Sequence, residues 1–130
     1  SGGMLWGENI WRSLPETGER FRLPPDISFN RLRLIMAYPS EVSSETSPVH
    51  AGVTWPDSGG RPLTCTAIQV IDPVEVRRSI GFQDEGIRIG VLDFSLPDAA
   101  SSGAGADLEL LPTDQVAGIG PIRLISIGYR

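Results

Sequence analysis

Glycine and proline interrupt this chain so often that no long helix has room to form. Fifteen glycines and eleven prolines fall among 130 residues. Their spacing leaves short apolar runs about 8–12 residues apart, the rhythm of many short strands joined by turns. No window holds apolar residues at i, i+3, i+4 and i+7 over three turns without one of these breakers intervening. The segment Ile71–Ser79 has room for one short helical turn after Pro73, although Val74 and Val76 suit a strand equally well.

The strand candidates follow in order. Glu19–Leu23 alternates polar and apolar and stops at Pro24-Pro25. In Arg31–Tyr38, Leu32, Leu34, Met36 and Tyr38 share one face, while the other runs from Arg31 and Arg33 to Ile35 and Ala37. A strand polar on one side at its start and apolar on both at its end is entering the centre of a sandwich. Val49–Trp55 and Leu63–Ile71 are joined by the turn-rich Pro56–Pro62. Gly86–Leu96, Leu108–Leu111 and Pro121–Tyr129 complete the set. The expected fold is all-β, with about seven to nine antiparallel strands. Without a covering helix, two sheets must bury their faces on each other, so a β-sandwich of jelly-roll type is expected.

Ser1-Gly2-Gly3 ahead of Met4 reads as a cloning scar, which leaves 4–130 as a single domain. Two segments, Ser40–Ser47 and Pro97–Ala106, are polar or small-residue excursions of the kind that carry function or merely connect.

Composition narrows the function. Net charge is −5, every one of the 11 basic residues is arginine, and only Arg20/Arg22, Arg31/Arg33 and Arg77/Arg78 lie close together. Nucleic-acid binding needs a basic face to neutralise phosphates, so none is expected. No apolar run approaches the ~20 residues of a membrane-spanning helix, and no membrane insertion is expected. A single cysteine, Cys65, rules out an internal disulfide and a thiolate zinc site; within Leu63–Ile68 it reads as a small buried hydrophobe.

Catalytic signatures are lacking. The one histidine, His50, has neither zinc-ligand partners at suitable spacing nor a strained nucleophile turn to serve. Most carboxylates sit beside Gly, Ser or Pro, as Asp57, Asp72, Glu85 and Asp98 do, where turns call for them. Asp93 shares the face of Ile87, Ile89 and Val91; it marks where the strand leaves the core or pairs with an arginine. Gly118-Ile119-Gly120 precedes a strand rather than a helix, so it reads as a bend and not a phosphate loop. The expectation is a binding domain that is not an enzyme and needs no cofactor or metal.

Among polar and aromatic surface, Trp55 with Asp57 and Arg61 forms the candidate ligand-binding cluster. An indole can stack on a pyranose face while the charged groups take its hydroxyls. The other two tryptophans, Trp6 and Trp11, flank Gly7-Glu8-Asn9 and suit a subunit interface.

The two ends carry an ordered set of segments. Leu5-Trp6-Gly7 opens the chain, then come Arg20–Pro24 and Asp26-Ile27-Ser28, which leads into Leu32–Tyr38; Ile119–Arg130 closes it. This order resembles the C-terminal head domains of bacteriophage tail fibres and related receptor-binding proteins. Those heads open on tryptophan and glycine, and they close on an isoleucine-rich strand followed by glycine, a hydrophobic and a basic residue. Here Phe29 stands apart from the main strand, behind Asn30-Arg31, where an aromatic belongs in the second motif. The resemblance implies a non-catalytic β-sandwich head, usually a homotrimer, that works beside other tail proteins. Its location would be the virion tail, extracellular during attachment, and its partner a host-surface glycan or protein. No binding residue carries over, because such loops vary freely. Two other readings stand beside it: a structural virion or decoration subunit, and a bacterial carbohydrate-binding module.

Overall fold

The computed structural model describes residues 6–26, 28–42, 48–54, 66–71, 74–81, 83–95, 105–114, 116 and 118–130. Among these residues eight strands and one helix follow in sequence. They are β1 (Trp6–Ser13), β2 (Glu19–Arg22), β3 (Arg31–Pro39), β4 (Val49–Thr54), β5 (Thr66–Ile71), α1 (Val74–Ile80), β6 (Ile87–Ser95), β7 (Asp107–Pro112) and β8 (Arg123–Tyr129). The expected all-β sandwich is what the chain forms. One sheet has five strands in the order β1-β8-β3-β6-β5, and the other has three in the order β2-β7-β4.

The pairing follows one rule. An antiparallel ribbon folded on itself pairs first strand with last, second with second-last, and so inward; wrapped around a core, it becomes a jelly roll. Here β1 pairs with β8, β2 with β7 and β3 with β6, all antiparallel. The fourth rung is split: β4 lies on β7 while β5 lies on β6 in the other sheet.

The core sits between the sheets. Leu32, Leu34, Met36 and Tyr38 of β3 are almost fully buried, as their alternation predicts. They meet Val49 and Val53 of β4, Leu108 and Leu110 of β7, and Leu124, Ile127 and Tyr129 of β8. Each such side chain contributes about 1.5–3 kcal/mol by leaving water. Phe29, set back from the strand, packs into this core with its ring 5.1 Å from that of Tyr129.

A second, smaller cluster lies on the outer face of the five-stranded sheet, and it corrects one expectation. Ala37, Ile89 and Ile125 are buried there under Val76 and Ile80 of α1. A helix therefore does cover this sheet, and it accounts for β3 turning apolar on both faces. Val76 and Ile80 stand four residues apart, so they share one helical side. Glu75 lies in the first turn and Arg77 and Arg78 in the last, which suits the helix dipole. Gly81, at φ 71°, ends the helix, its N–H donating to the Arg78 carbonyl. Arg77 ties α1 to the sheet by donating to the carbonyls of Asp84 and Ile87.

The edge strand β1, absent from the expected strands, carries an irregularity that builds up across the sheet. Ile35 and Met36 of β3 face Ser126 and Leu124 of β8, so β8 has one extra residue, Ile125. On the other side of β8, Ser126 and Leu124 face Asn9 and Arg12, so β1 has two residues, Ile10 and Trp11, against that one. Trp11 takes up the mismatch at φ 51° and stays half exposed. Arg12 next to it lies 5.4 Å from the centre of the Phe21 ring and forms an ion pair with Glu19, joining the two sheets at this edge.

Candidate functional site

Strand ends meet at two ends of the sandwich. One gathers the β1–β2, β3–β4 and β7–β8 connections, since Ser13 pairs with Arg123, Glu19 with Leu110 and Val49 with Pro112. At this end the β1–β2 and β7–β8 loops enclose a cleft of about 440 Å³.

Both walls are fixed by turns. In the first, the Gly18 N–H donates to the Pro15 carbonyl at 2.9 Å and places Glu16 at the corner. Only glycine fits position 18: its φ is 86°, and a Cβ there would lie 2.7 Å from the Leu110 carbonyl oxygen. In the second, the Val116 N–H donates to Thr113, and the Ile119 and Gly120 N–H groups donate to Val116. Gly118, at φ 77°, supplies the left-handed step between them. The run Gly118-Ile119-Gly120 is thus the bend before the last strand that its position suggested. Thr113 anchors this wall by donating its N–H and its hydroxyl to the Pro48 carbonyl at the start of β4.

The lining combines two chemistries. Leu14, Val116 and Ile122 are buried apolar side chains at its base, and Ile119 stands 44 % exposed at the side. Glu16 and Asp114 are exposed carboxylates on opposite walls, and among the described residues no arginine lines the cleft. Such a site can hold a small polyhydroxylated molecule. Carboxylates accept hydrogen bonds from hydroxyls, and the apolar patch takes a face of C–H groups. The charge disfavours anionic ligands and favours neutral or cationic ones.

The ligand cluster expected from sequence, Trp55, Asp57 and Arg61, lies outside the described residues, as do Cys65, Asp72 and Asp98. His50 is exposed on β4, in register with Leu111 of β7. Asp93 pairs with an arginine, one of its two expected roles: Arg33 Nε and Nη2 donate to its two oxygens at 2.7 and 3.1 Å. The pair faces outward on β3 and β6, and the Asp93 carboxylate helps to hold the Arg33 pKa above its ordinary value. Asp84 has a turn role, its Oδ1 accepting the Gly86 N–H at 2.9 Å.

The two excursions are held at their described ends. Val42 is buried, and its carbonyl accepts from Arg88. Ala106 is buried, and its carbonyl accepts the Leu23 N–H. Sequence reasoning missed the cleft because its walls come from loops about 100 residues apart. The local signals were present in Pro15–Gly18 and Gly118–Gly120, each a turn with a glycine.

Among the described residues no group of three His, Cys, Asp or Glu side chains is placed to hold a metal. No described helix is long and apolar enough to cross a membrane. No family model matches the chain, and neither the curated proteins nor the solved structures compared with it give a match.

Proposed function

We propose that the chain is a non-catalytic attachment domain of the tail-fibre-head kind, which holds a neutral or cationic glycan in its loop-end cleft. The observation that carries this reading is the cleft itself: an apolar base between two carboxylate-bearing turns at one end of the β-sandwich. Loops held by a stable scaffold are where recognition surfaces are usually built. The resemblance at the chain ends stands beside it: its opening falls on β1, its middle motif on β3 and its closing run on β8, while Arg20–Pro24 falls on and after β2 of the other sheet.

One cleft of this size binds a monosaccharide or disaccharide weakly, and three copies on a trimer turn weak contacts into useful avidity. The test is a glycan array probed with fluorescent protein, beside a Glu16→Gln/Asp114→Asn variant. Selective binding that the variant loses supports the reading; no binding under multivalent display overturns it. Light scattering during size-exclusion chromatography tests the trimer, whose mass would be close to three times 14.0 kDa.

A further inference from the structure

The loop-end cleft is short of hydrogen-bond donors, and this narrows which glycan it can take. Much of its backbone N–H supply is committed to the turns that build its walls. The N–H groups of Leu14, Thr113, Val116, Ile119 and Gly120 all donate to carbonyls of the chain itself. Pro112 and Pro121, also in the lining, have no N–H to offer. The one hydroxyl of the described lining, that of Thr113, donates to the Pro48 carbonyl. No arginine stands among the described lining residues to supply a cationic donor.

Acceptors are in the opposite condition. Elsewhere in the fold arginine matches the carboxylates of the strands: Arg12 meets Glu19, Arg20 meets Glu109, Arg22 meets Asp107 and Arg33 meets Asp93. Among the described residues Glu16 and Asp114 have no such partner. An ionised carboxylate accepts hydrogen bonds through both oxygens and donates none. A ligand that suits this cleft therefore brings donors, and best of all positive charge. A protonated sugar amine supplies three N–H donors and no acceptor, and its bonds to carboxylate are stronger than neutral ones. An N-acetylated sugar carries instead a carbonyl, which needs a donor that most of the wall has already used. Desolvating that carbonyl without a partner costs affinity.

We infer that the cleft selects hexosamines with a free, protonated amine over the corresponding hexoses and N-acetylhexosamines. This rests on the reading of the cleft as a glycan site and names the class of glycan it takes. Glucosamine, galactosamine and mannosamine are titrated into ¹⁵N-labelled protein beside their parent hexoses and N-acetyl forms. The titrations are run at about pH 6, below the ordinary amine range. The backbone amides of Thr113 and Gly118 report the cleft. At least one hexosamine should bind about tenfold tighter than its hexose and its N-acetyl form. Added salt should shrink that preference, because both carboxylates are exposed. Glu16→Gln/Asp114→Asn, an isosteric change at two exposed positions, should abolish it. Glu75→Gln, on α1 and outside the lining, should keep it, which separates the cleft from the net negative charge of the chain. Amides that respond as strongly to a hexose or N-acetyl form as to its hexosamine overturn the inference and leave the cleft reading standing. A preference that survives Glu16→Gln/Asp114→Asn overturns the inference as well. Amides unmoved by every sugar at about 50 mM, roughly fifty times a 1 mM constant, overturn both.

Discussion

Replacing Trp11 by alanine and by glycine isolates the backbone strain at this position. Both substitutions remove the indole, so the packing lost is common to the two variants. Half the indole's buried area is about 100 Å², worth about 2.5 kcal/mol at 25 cal/mol per Å². The variants differ in the Cβ. Alanine at φ 51° still bears a left-handed cost of about 1–2 kcal/mol, which glycine does not. Glycine loses about 0.5–1 kcal/mol through the freedom of its unfolded chain. Trp11→Gly should therefore be more stable than Trp11→Ala by about 1 kcal/mol, although both fall below the parent. For a domain of this size that separates their melting temperatures by roughly 4 °C. Urea unfolding followed by far-ultraviolet circular dichroism measures the difference, with equal slopes showing that the unfolded states are comparable. At an ordinary extended position the order would be reversed, with alanine ahead by about 0.5–1 kcal/mol. Equal stability, or alanine ahead, would refute the strained backbone.

Three further outcomes follow from the packing and the charges. Gly90→Ala should destabilise by about 1–3 kcal/mol in the same assay, because a Cβ there would lie 2.8 Å from the Tyr38 ring. A double-mutant cycle on Arg33 and Asp93 should give a coupling of no more than about 1 kcal/mol that shrinks with added salt, since both side chains are 34 % exposed. The Tyr129 hydroxyl is pushed up to about 12, first by burial and then by the charge of Glu8 and its hydrogen bond. An unfolded tyrosine titrates near 10, so the native state keeps the proton that the unfolded state loses. This contribution, roughly 2–3 kcal/mol, is intact below pH 10 and is lost as pH rises toward 12. Ultraviolet titration should find a tyrosine ionising near 12; a normal titration of both tyrosines would refute the assignment.

The alternation of Leu32, Leu34, Met36 and Tyr38 made the core face of β3 readable directly, because a strand's two faces separate by residue parity. Two features resisted the same logic. The segment Val74–Ile80 contains β-branched residues that favour strands, and its helical state depends on burying Val76 and Ile80 against a sheet assembled from distant segments. Strand β1 contains Gly7 and two tryptophans without clean alternation, and its bulge shifts parity midway, so no fixed period describes it. The cleft was hidden for a third reason. Turn glycines at 18 and 118 are legible one at a time, but that their loops face each other follows from β1 pairing with β8 and β2 with β7.

The place of β8 between β1 and β3 also governs when this protein can fold. A ribosome releases the N-terminal segment first, yet β1 has no neighbour in its sheet until Arg123–Tyr129 has been made. Until then β3 exposes on one side the backbone edge and core side chains that β8 will cover. Pairing so distant along the chain is slow to form. An inner place in the five-stranded sheet is therefore filled by a strand from the far end of the sequence, which makes this pairing a long-range, slow-forming one.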